Sequence, residues 1–246
     1  MSTVTIIYAV LFYVATVVLV GGVAYKVYVY ASTPAPLKIP TTPAPVTRLG
    51  VVGRMLREVT VFESLFKSNK WIWLFGILFH FALLLVLLQH LRYFTQPVWG
   101  WVVLEQPFGV YAGFFMVLGL LGLWGRRFLV DRVRYISSLS DHLMLALLAM
   151  IALSGLLMKF VYHTNIIGLK EFFLGLLSFQ LQPLPSDPIL LIHLALVATL
   201  MIVFPMSKLL HAPGVFFSPT RNQVDNPRER RYVAGWSASI HNPGGR

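Results

Sequence analysis

Residues 71–93 constrain the fold of this chain more than any other segment. This 23-residue run carries no charge before Arg92 and contains two histidines, His80 and His90. About 20 helical residues, each rising about 1.5 Å, cross the hydrocarbon core of a bilayer. The run therefore predicts a membrane-spanning helix. A histidine inside such a helix indicates a functional site, because its polar ring is costly in lipid.

The composition of the whole chain agrees with this interpretation. The 246 residues are 57% hydrophobic and 12% charged, about half the charged fraction of a soluble domain. The net charge of +11 comes from basic residues between apolar runs, which argues for membrane topology and against nucleic-acid binding. The chain has no cysteine, so it can hold neither an iron–sulfur cluster nor a covalently attached haem. A redox cofactor in this chain would have to be held by histidine.

The pattern predicts an all-α integral membrane protein, a bundle of five transmembrane helices. The first apolar run is too long for a signal peptide, and residues 1–5 lack its positive charge, so we expect this helix to be retained. Residues 1–211 are predicted to form the membrane domain and residues 212–246 a basic cytoplasmic tail. Residues 30–70 are predicted to form a cytoplasmic Pro-rich loop, followed by an amphipathic helix on the membrane surface over residues 51–66. The predicted spans are residues 4–29, 71–93, 108–125, 142–162 and 189–210.

Three local features refine this prediction. Residues 105–107 are predicted to form a polar turn before helix 3, and Pro205 a kink in helix 5. Glycines at positions 109, 113, 119 and 122 would let a neighbouring helix or a flat cofactor approach helix 3 closely. The apolar residues 166–181 are expected to lie along the membrane interface.

The basic residues predict the orientation of the bundle. Sixteen of the twenty lysines and arginines lie in the loops before helices 2 and 4 or in the tail, against three in the loops on the other side. The positive-inside rule therefore predicts that the N-terminus faces the outside of the cell and the C-terminus faces the cytoplasm. The expected location is the inner (cytoplasmic) membrane of the cell.

The seven histidines suggest the chemistry. In the predicted orientation His90 and His193 lie near the outer ends of helices 2 and 5, and His80 and His211 lie toward their inner ends. Two imidazoles facing each other across an apolar bundle are the axial ligands of a b-type haem, so two such pairs predict two haems. His241, in the polar tail, is read as an ordinary exposed residue.

Other interpretations stay open at this point. His142 and His163, at the two ends of helix 4, are alternative ligands at comparable depths. On an ideal helix His193 and His211 would be about 27 Å apart, against about 15 Å for the helix 2 pair, and tilt or the Pro205 kink would have to absorb the difference. The main alternative function is a haem-free membrane anchor or assembly subunit whose histidines bond between helices. A transporter ranks lowest, because neither mid-membrane carboxylates nor an inverted repeat is found.

These histidine spacings resemble a known family. Histidines ten apart on the second helix and eighteen apart on the fifth are similar to the cytochrome b (gamma) subunit of respiratory nitrate reductase. The resemblance implies two haems ligated crosswise between helices 2 and 5. His80 and His211 would hold the inner haem, and His90 and His193 the outer one.

One branch of that family is more similar still. The segment Glu63-Ser64-Leu65-Phe66-Lys67-Ser68-Asn69-Lys70-Trp71, leading into His80, resembles DsrM, the membrane cytochrome of the sulfite-reductase-associated Dsr complex. The branch implies a cytoplasmic DsrK-like iron–sulfur subunit as partner. It also implies a multihaem cytochrome c, a second iron–sulfur protein and another membrane subunit.

The resemblance implies an electron wire in sulfur metabolism. Electrons would pass between a quinone on the outer side and the soluble partner, and this chain would carry the quinone redox half-reaction. Six residues are candidates to contact a quinone or the haem propionates, although interfacial or topological roles would also explain them. They are Arg92, Tyr93, Glu105 and Lys159 at the predicted outer side, and Arg126 and Arg127 at the inner side.

Overall fold

The structure, a computed structural model, describes residues 2–34, 40 and 42–226. These residues form α-helices linked by short 3₁₀ and π turns, and no strand occurs among them. Most of the predicted basic tail, including His241, lies outside the described residues. In chain order the α-helices are α1 (Thr3–Ser32), α2 (Arg48–Val61), α3 (Glu63–Ser68), α4 (Lys70–His90), α5 (Gly100–Leu129), α6 (Asp131–Ile136), α7 (Leu139–Leu157), α8 (Ile166–Leu177), α9 (Pro188–Val203), α10 (His211–Gly214) and α11 (Pro219–Asn222).

Five of these helices are long and apolar enough to cross a membrane, as the sequence predicts. With the turns that extend three of them, these spans are Thr3–Ser32, Lys70–Tyr93, Gly100–Leu129, Leu139–Tyr162 and Pro188–Met206. The protein is therefore a multi-pass membrane protein.

The predicted turn at residues 105–107 is wrong, because α5 begins at Gly100 and runs through Pro107. Proline cannot donate the helical hydrogen bond to the carbonyl four residues earlier, which weakens the helix here. The adjacent Gln106 side chain adds two other bonds: its Nε2 donates to the Val102 carbonyl at 3.3 Å and to the Gln89 carbonyl of α4 at 3.1 Å. The weakened turn is thus tied to the neighbouring helix.

Helix α9 is shorter than predicted. It ends at Val203, and Pro205 lies in a 3₁₀ turn after it, so the proline ends the helix where a kink was expected. His211 begins the separate helix α10. The span of about 27 Å expected for a continuous helix from His193 to His211 therefore does not apply.

The chain divides into two compact units, the first formed by residues 2–23 and 64–207. Helices α1, α8 and α9 share an apolar cluster in this unit, with Phe12, Phe172 and Leu190 among its buried members. The Tyr13 hydroxyl donates to the Leu176 carbonyl at 2.9 Å, which joins α1 to α8. Helix α8, expected at the membrane interface, thus contributes to the core of this unit.

The glycines of α5 allow close helix packing, one of the two roles that their spacing predicts. A Cβ added at Gly119 would lie 2.9 Å from the backbone nitrogen of Phe79, and one added at Gly122 would overlap the Phe75 ring. Gly113 faces α7 instead, with Leu156 at 2.8 Å from its added Cβ. Three neighbouring spans are therefore held together along α5.

The second unit contains residues 24–63 and the described residues from 208 onward. Its helix α2 is capped by the Thr47 hydroxyl, which accepts from the Gly50 N–H. The buried Glu58 carboxylate pairs with Arg221 of α11 at 2.6 Å. The amphipathic helix expected over residues 51–66 is interrupted at Phe62, which adopts a left-handed conformation and separates α2 from α3.

Candidate cofactor-binding site

The four histidines of the predicted pairs share one hydrogen-bonding feature at Nδ1. The Nδ1 atoms of His80 and His90 bond the carbonyls of Gly76 and Val86 within α4. The Nδ1 of His211 bonds the Lys208 carbonyl at 2.8 Å. Because a carbonyl oxygen can only accept, the proton of each neutral ring is assigned to Nδ1 and the lone pair to Nε2. This is the tautomer that binds a metal through Nε2.

His193 reaches the same state through a side chain. Ser154 of α7 donates its hydroxyl proton to the Met150 carbonyl at 2.7 Å or the Ile151 carbonyl at 3.0 Å. The serine oxygen therefore acts as the acceptor toward His193 Nδ1, 2.9 Å away. His193 is only 8% exposed, and Ser154 is buried beside it. A Cβ added at Gly155 would lie 3.4 Å from the His193 ring, so the glycine leaves room for the imidazole.

The structure brings His90 and His193 near each other. Their imidazoles are close enough for their charges to interact if both were protonated. His80 and His90 lie ten residues apart on α4, about 15 Å along the axis. Helix α9 continues for ten residues beyond His193 and ends at Val203, so this part of α9 has the same number of residues as the segment of α4 between its two histidines.

The alternative ligands differ from these four. The Trp124 indole N–H, which can only donate, lies 3.1 Å from His142 Nδ1. His142 must therefore accept at Nδ1 and carry its proton on Nε2, the opposite tautomer. His163 is exposed and adopts a left-handed backbone conformation with φ of 48° after the π turn. Neither residue has the arrangement that His80, His90, His193 and His211 share.

A polar cluster surrounds the end of α4 that carries His90. The Arg92 guanidinium donates to Gln106 Oε1 at 2.8 Å, and it also lies 5.8 Å from the centre of the Tyr93 ring. The Tyr93 ring lies 5.9 Å from the His90 ring. Glu105, one residue before Gln106, has both carboxylate oxygens buried without a hydrogen-bond partner in the described part of the chain.

The remaining sequence candidates have other surroundings. Arg127 donates to Ser137 Oγ at 2.9 Å and lies 3.7 Å from the buried Asp141 carboxylate, so its charge is already balanced. Arg126 is half-buried in the last turn of α5. Lys159 is exposed in the π turn that follows α7.

Side-chain caps fix the starts of α4 and α9, the helices that carry His80, His90 and His193. Asn69 accepts from the Ile72 N–H at 3.0 Å and begins α4. Asp187 accepts from the Ile189 N–H at 2.9 Å and begins α9, with Pro188 at the first helical position. The Thr164 hydroxyl donates to the Asp187 carboxylate at 2.6 Å and, with the backbone N–H groups, holds the pKa of Asp187 below its usual value. This cap therefore stays charged at neutral pH.

Sequence reasoning missed Ser154 and Gln106, the two side chains that organise these clusters. Both lie in or next to apolar runs. Ser154 is followed by Gly155, and a hydroxyl next to a glycine in the middle of a span indicates close helix packing. That signal shows that a neighbour comes close, but it does not identify His193 as the neighbour.

Comparison with known proteins places the chain among membrane subunits of oxidoreductases. Residues 57–227 match the family model described as nitrate reductase gamma subunit. A protein of Archaeoglobus fulgidus named Hdr-like menaquinol oxidoreductase cytochrome b-like subunit is 36% identical, with 91% of this chain and 81% of the relative aligned. A protein of the same name from Archaeoglobus profundus is 34% identical, with 99% of this chain and 86% of the relative aligned.

Proposed function

Because this chain belongs to the nitrate reductase gamma subunit family, we propose that it is a diheme membrane cytochrome b. It transfers electrons between menaquinol and a cytoplasmic iron–sulfur partner. The observation that carries the proposal is that Nδ1 of His80, His90, His193 and His211 each lies at hydrogen-bond distance from a carbonyl or hydroxyl oxygen, which assigns the lone pair of each ring to Nε2.

The residues present fit a b-type haem. Such a haem needs two neutral imidazoles whose second nitrogen is held by a hydrogen bond, because that bond fixes the ring and makes the ligand more basic. His193 meets this requirement through Ser154, and His90 through the Val86 carbonyl. In our assignment His90 and His193 hold one haem and His80 and His211 hold the other. A haem held in this way supplies reversible one-electron chemistry within the bilayer.

The chain itself supplies position and insulation. Helix α4 carries two of the proposed ligands about 15 Å apart along its axis, which sets the separation of the two redox centres in depth. Close packing of α4 against Gly119 and Gly122 keeps this helix fixed relative to α5. The apolar side chains of the spans exclude water between the two ends.

The substrate and partners follow from the relatives and from the sequence. Two relatives are named menaquinol oxidoreductase subunits, which supports menaquinol as the substrate. Both relatives are named as subunits of an Hdr-like oxidoreductase, which supports a multisubunit complex. The Dsr-type partners and the role in sulfur metabolism rest on the segment before residue 71, which resembles DsrM, and they remain our proposal.

The proposal is tested by haem analysis of the purified protein. We expect two b-type haems per chain in the dithionite-reduced minus oxidised spectrum, and reduction of both haems when a menaquinol analogue is added to the oxidised protein. Absence of haem would contradict the proposal and favour the haem-free anchor.

Replacing Ser154 by alanine is expected to weaken haem binding at His193 by about tenfold or more, because Nδ1 loses its acceptor. The loss of ligand basicity should also raise the reduction potential of that haem relative to the other. Haem titration and a potentiometric titration measure these effects. Thr199→Val is the matched control, since the Thr199 hydroxyl is exposed and bonds the Ala195 carbonyl of its own helix. Equal haem affinity and potential in Ser154→Ala and Thr199→Val would contradict the assigned role.

A further inference from the structure

His211 is the proposed haem ligand that lies outside the long helices. His80 and His90 lie on α4, which has 21 residues, and His193 lies on α9, which has 16. His211 begins α10, a helix of four residues, after α9 has ended at Val203. It is also exposed, whereas His193 is buried. A helix as short as α10 is not stable by itself in water, so the position of His211 must depend on contacts made by the chain that follows it.

The chain after His211 is folded into short turns that are joined to one another. Helix α10 continues into a 3₁₀ turn over Val215–Phe217, and Pro219 then begins α11. The Asn222 side chain of α11 donates to the Phe216 carbonyl at 3.1 Å, which joins α11 back to the 3₁₀ turn. A restraint on α11 therefore reaches His211 through a short and folded stretch of chain.

A buried ion pair restrains α11. The Arg221 guanidinium lies 2.6 Å from the Glu58 carboxylate of α2, and the Glu58 side chain is only 7% exposed. Removing either charge would leave the other without its counter-ion in a buried place, which is strongly destabilising. The Asp225 N–H also donates to the Pro45 carbonyl at 3.0 Å, shortly before α2 begins. The segment that starts at His211 is thus fastened to the loop between the first two membrane spans.

An aromatic contact holds the same segment closer to the histidine. The rings of Phe217 and Tyr30 have their centres 6.0 Å apart, and a Cβ added at Gly214 would lie 3.8 Å from the Tyr30 ring. Tyr30 belongs to the last turns of α1 and is half-buried. The segment is therefore held at residues 214–217 by α1 and at residue 221 by α2.

We propose that the ion pair of Glu58 with Arg221 positions His211 as a haem ligand. This inference rests on the proposed function, in which His211 and His80 hold one haem. Glu58 and Arg221 do not touch the haem in this proposal, so they are positioning residues that act through the backbone of residues 211–221. A ligand must be held in place by its supporting contacts to stay on the iron, and a short exposed turn supplies few of its own.

A purely structural role for the ion pair is the alternative. In that case, breaking the pair would loosen α2 and α11, and the coordination of the haem would stay as it is. The two roles differ at the iron, because a haem that has lost one axial histidine has an open position for a small ligand such as carbon monoxide.

Charge reversal in the full chain, in lipid nanodiscs, tests the proposal. Arg221→Glu places a second carboxylate beside Glu58, and their repulsion should separate α2 from α11. We expect amide hydrogen exchange over residues 208–217 to become at least about tenfold faster than in wild type. We also expect the reduced variant to bind carbon monoxide at one haem, whereas wild type should bind none. The double variant Glu58→Arg with Arg221→Glu restores opposite charges and should reverse both effects.

Arg57→Glu is the matched control, because it makes the same change of charge on α2. Arg57 pairs with Glu63 at 2.7 Å, but its side chain is 61% exposed, and an exposed pair contributes little to stability. This variant should exchange hydrogen over residues 208–217 like wild type and bind no carbon monoxide. Retention of the haem assigned to His90 and His193 shows that each variant is folded.

The outcomes separate the proposal from the function on which it rests. Faster exchange in Arg221→Glu without carbon monoxide binding would overturn the proposal, and the pair would then only stabilise the fold. Unchanged exchange in Arg221→Glu, or the same effects in Arg57→Glu, would overturn it as well. A wild-type protein without haem, or two haems retained in His211→Ala, would instead contradict the proposed function and with it the role of His211 as a ligand.

Discussion

Replacing His193 by alanine is expected to remove one haem of two and to leave the other in place. His193 is 8% exposed, its Nδ1 is held by Ser154, and its lone pair is assigned to Nε2, so the ring is oriented as an iron ligand. His90→Ala should remove the same haem, because the two imidazoles lie near each other across α4 and α9. Haem per chain from the pyridine haemochromogen, together with the low-spin signals in electron paramagnetic resonance, measures the loss.

His142→Ala is the control for this prediction. His142 also lies in a membrane span, but its Nδ1 accepts from the Trp124 indole, so its Nε2 carries the proton and cannot ligate iron in this state. We expect this variant to keep both haems. Loss of a haem in His142→Ala with retention in His193→Ala would contradict the assignment and move the ligand to α7.

The five spans could be predicted from the sequence because hydrophobic length alone specifies them. The prediction failed at two prolines, because a proline by itself does not specify whether a helix continues, bends or ends. Pro107 suggested a turn, but the Gln106 side chain bonds the carbonyls of Val102 and Gln89 and the helix continues. Pro205 suggested a kink, yet it lies in a 3₁₀ turn after Val203, where α9 has ended.

The candidate site likewise has a part that the sequence predicts and a part that it does not. His80, His90, His193 and His211 could be selected from spacing and depth, because an imidazole is conspicuous in an apolar run. The hydrogen bonds that fix their tautomers could not be selected, since they depend on which carbonyl or hydroxyl each ring reaches. Ser154 is the clearest example: it is 39 residues from His193 in sequence and 2.9 Å from it in space.

The assignment of His80 and His211 to one haem leads to the second large expected effect. His80→Ala and His211→Ala should each remove the haem that His193→Ala retains, and combining His80→Ala with His211→Ala should remove no more. Two ligands of one iron act as a unit, so their effects on haem content are not additive. His80→Ala combined with His193→Ala should remove both haems. Haem stoichiometry of the three single and two double variants measures this pattern.

The break after Val203 makes His211 the most informative of these positions. His211 lies outside α9, at the start of α10, and its Nδ1 bonds the Lys208 carbonyl three residues earlier. Its tautomer is thus set by its own turn and does not require α9 to continue. His163→Ala is the control, since His163 is exposed after the π turn, and it should retain both haems. Loss of both haems in the double variant His80→Ala with His211→Ala would contradict a shared site. Each of these histidines would then share its iron with a different ligand.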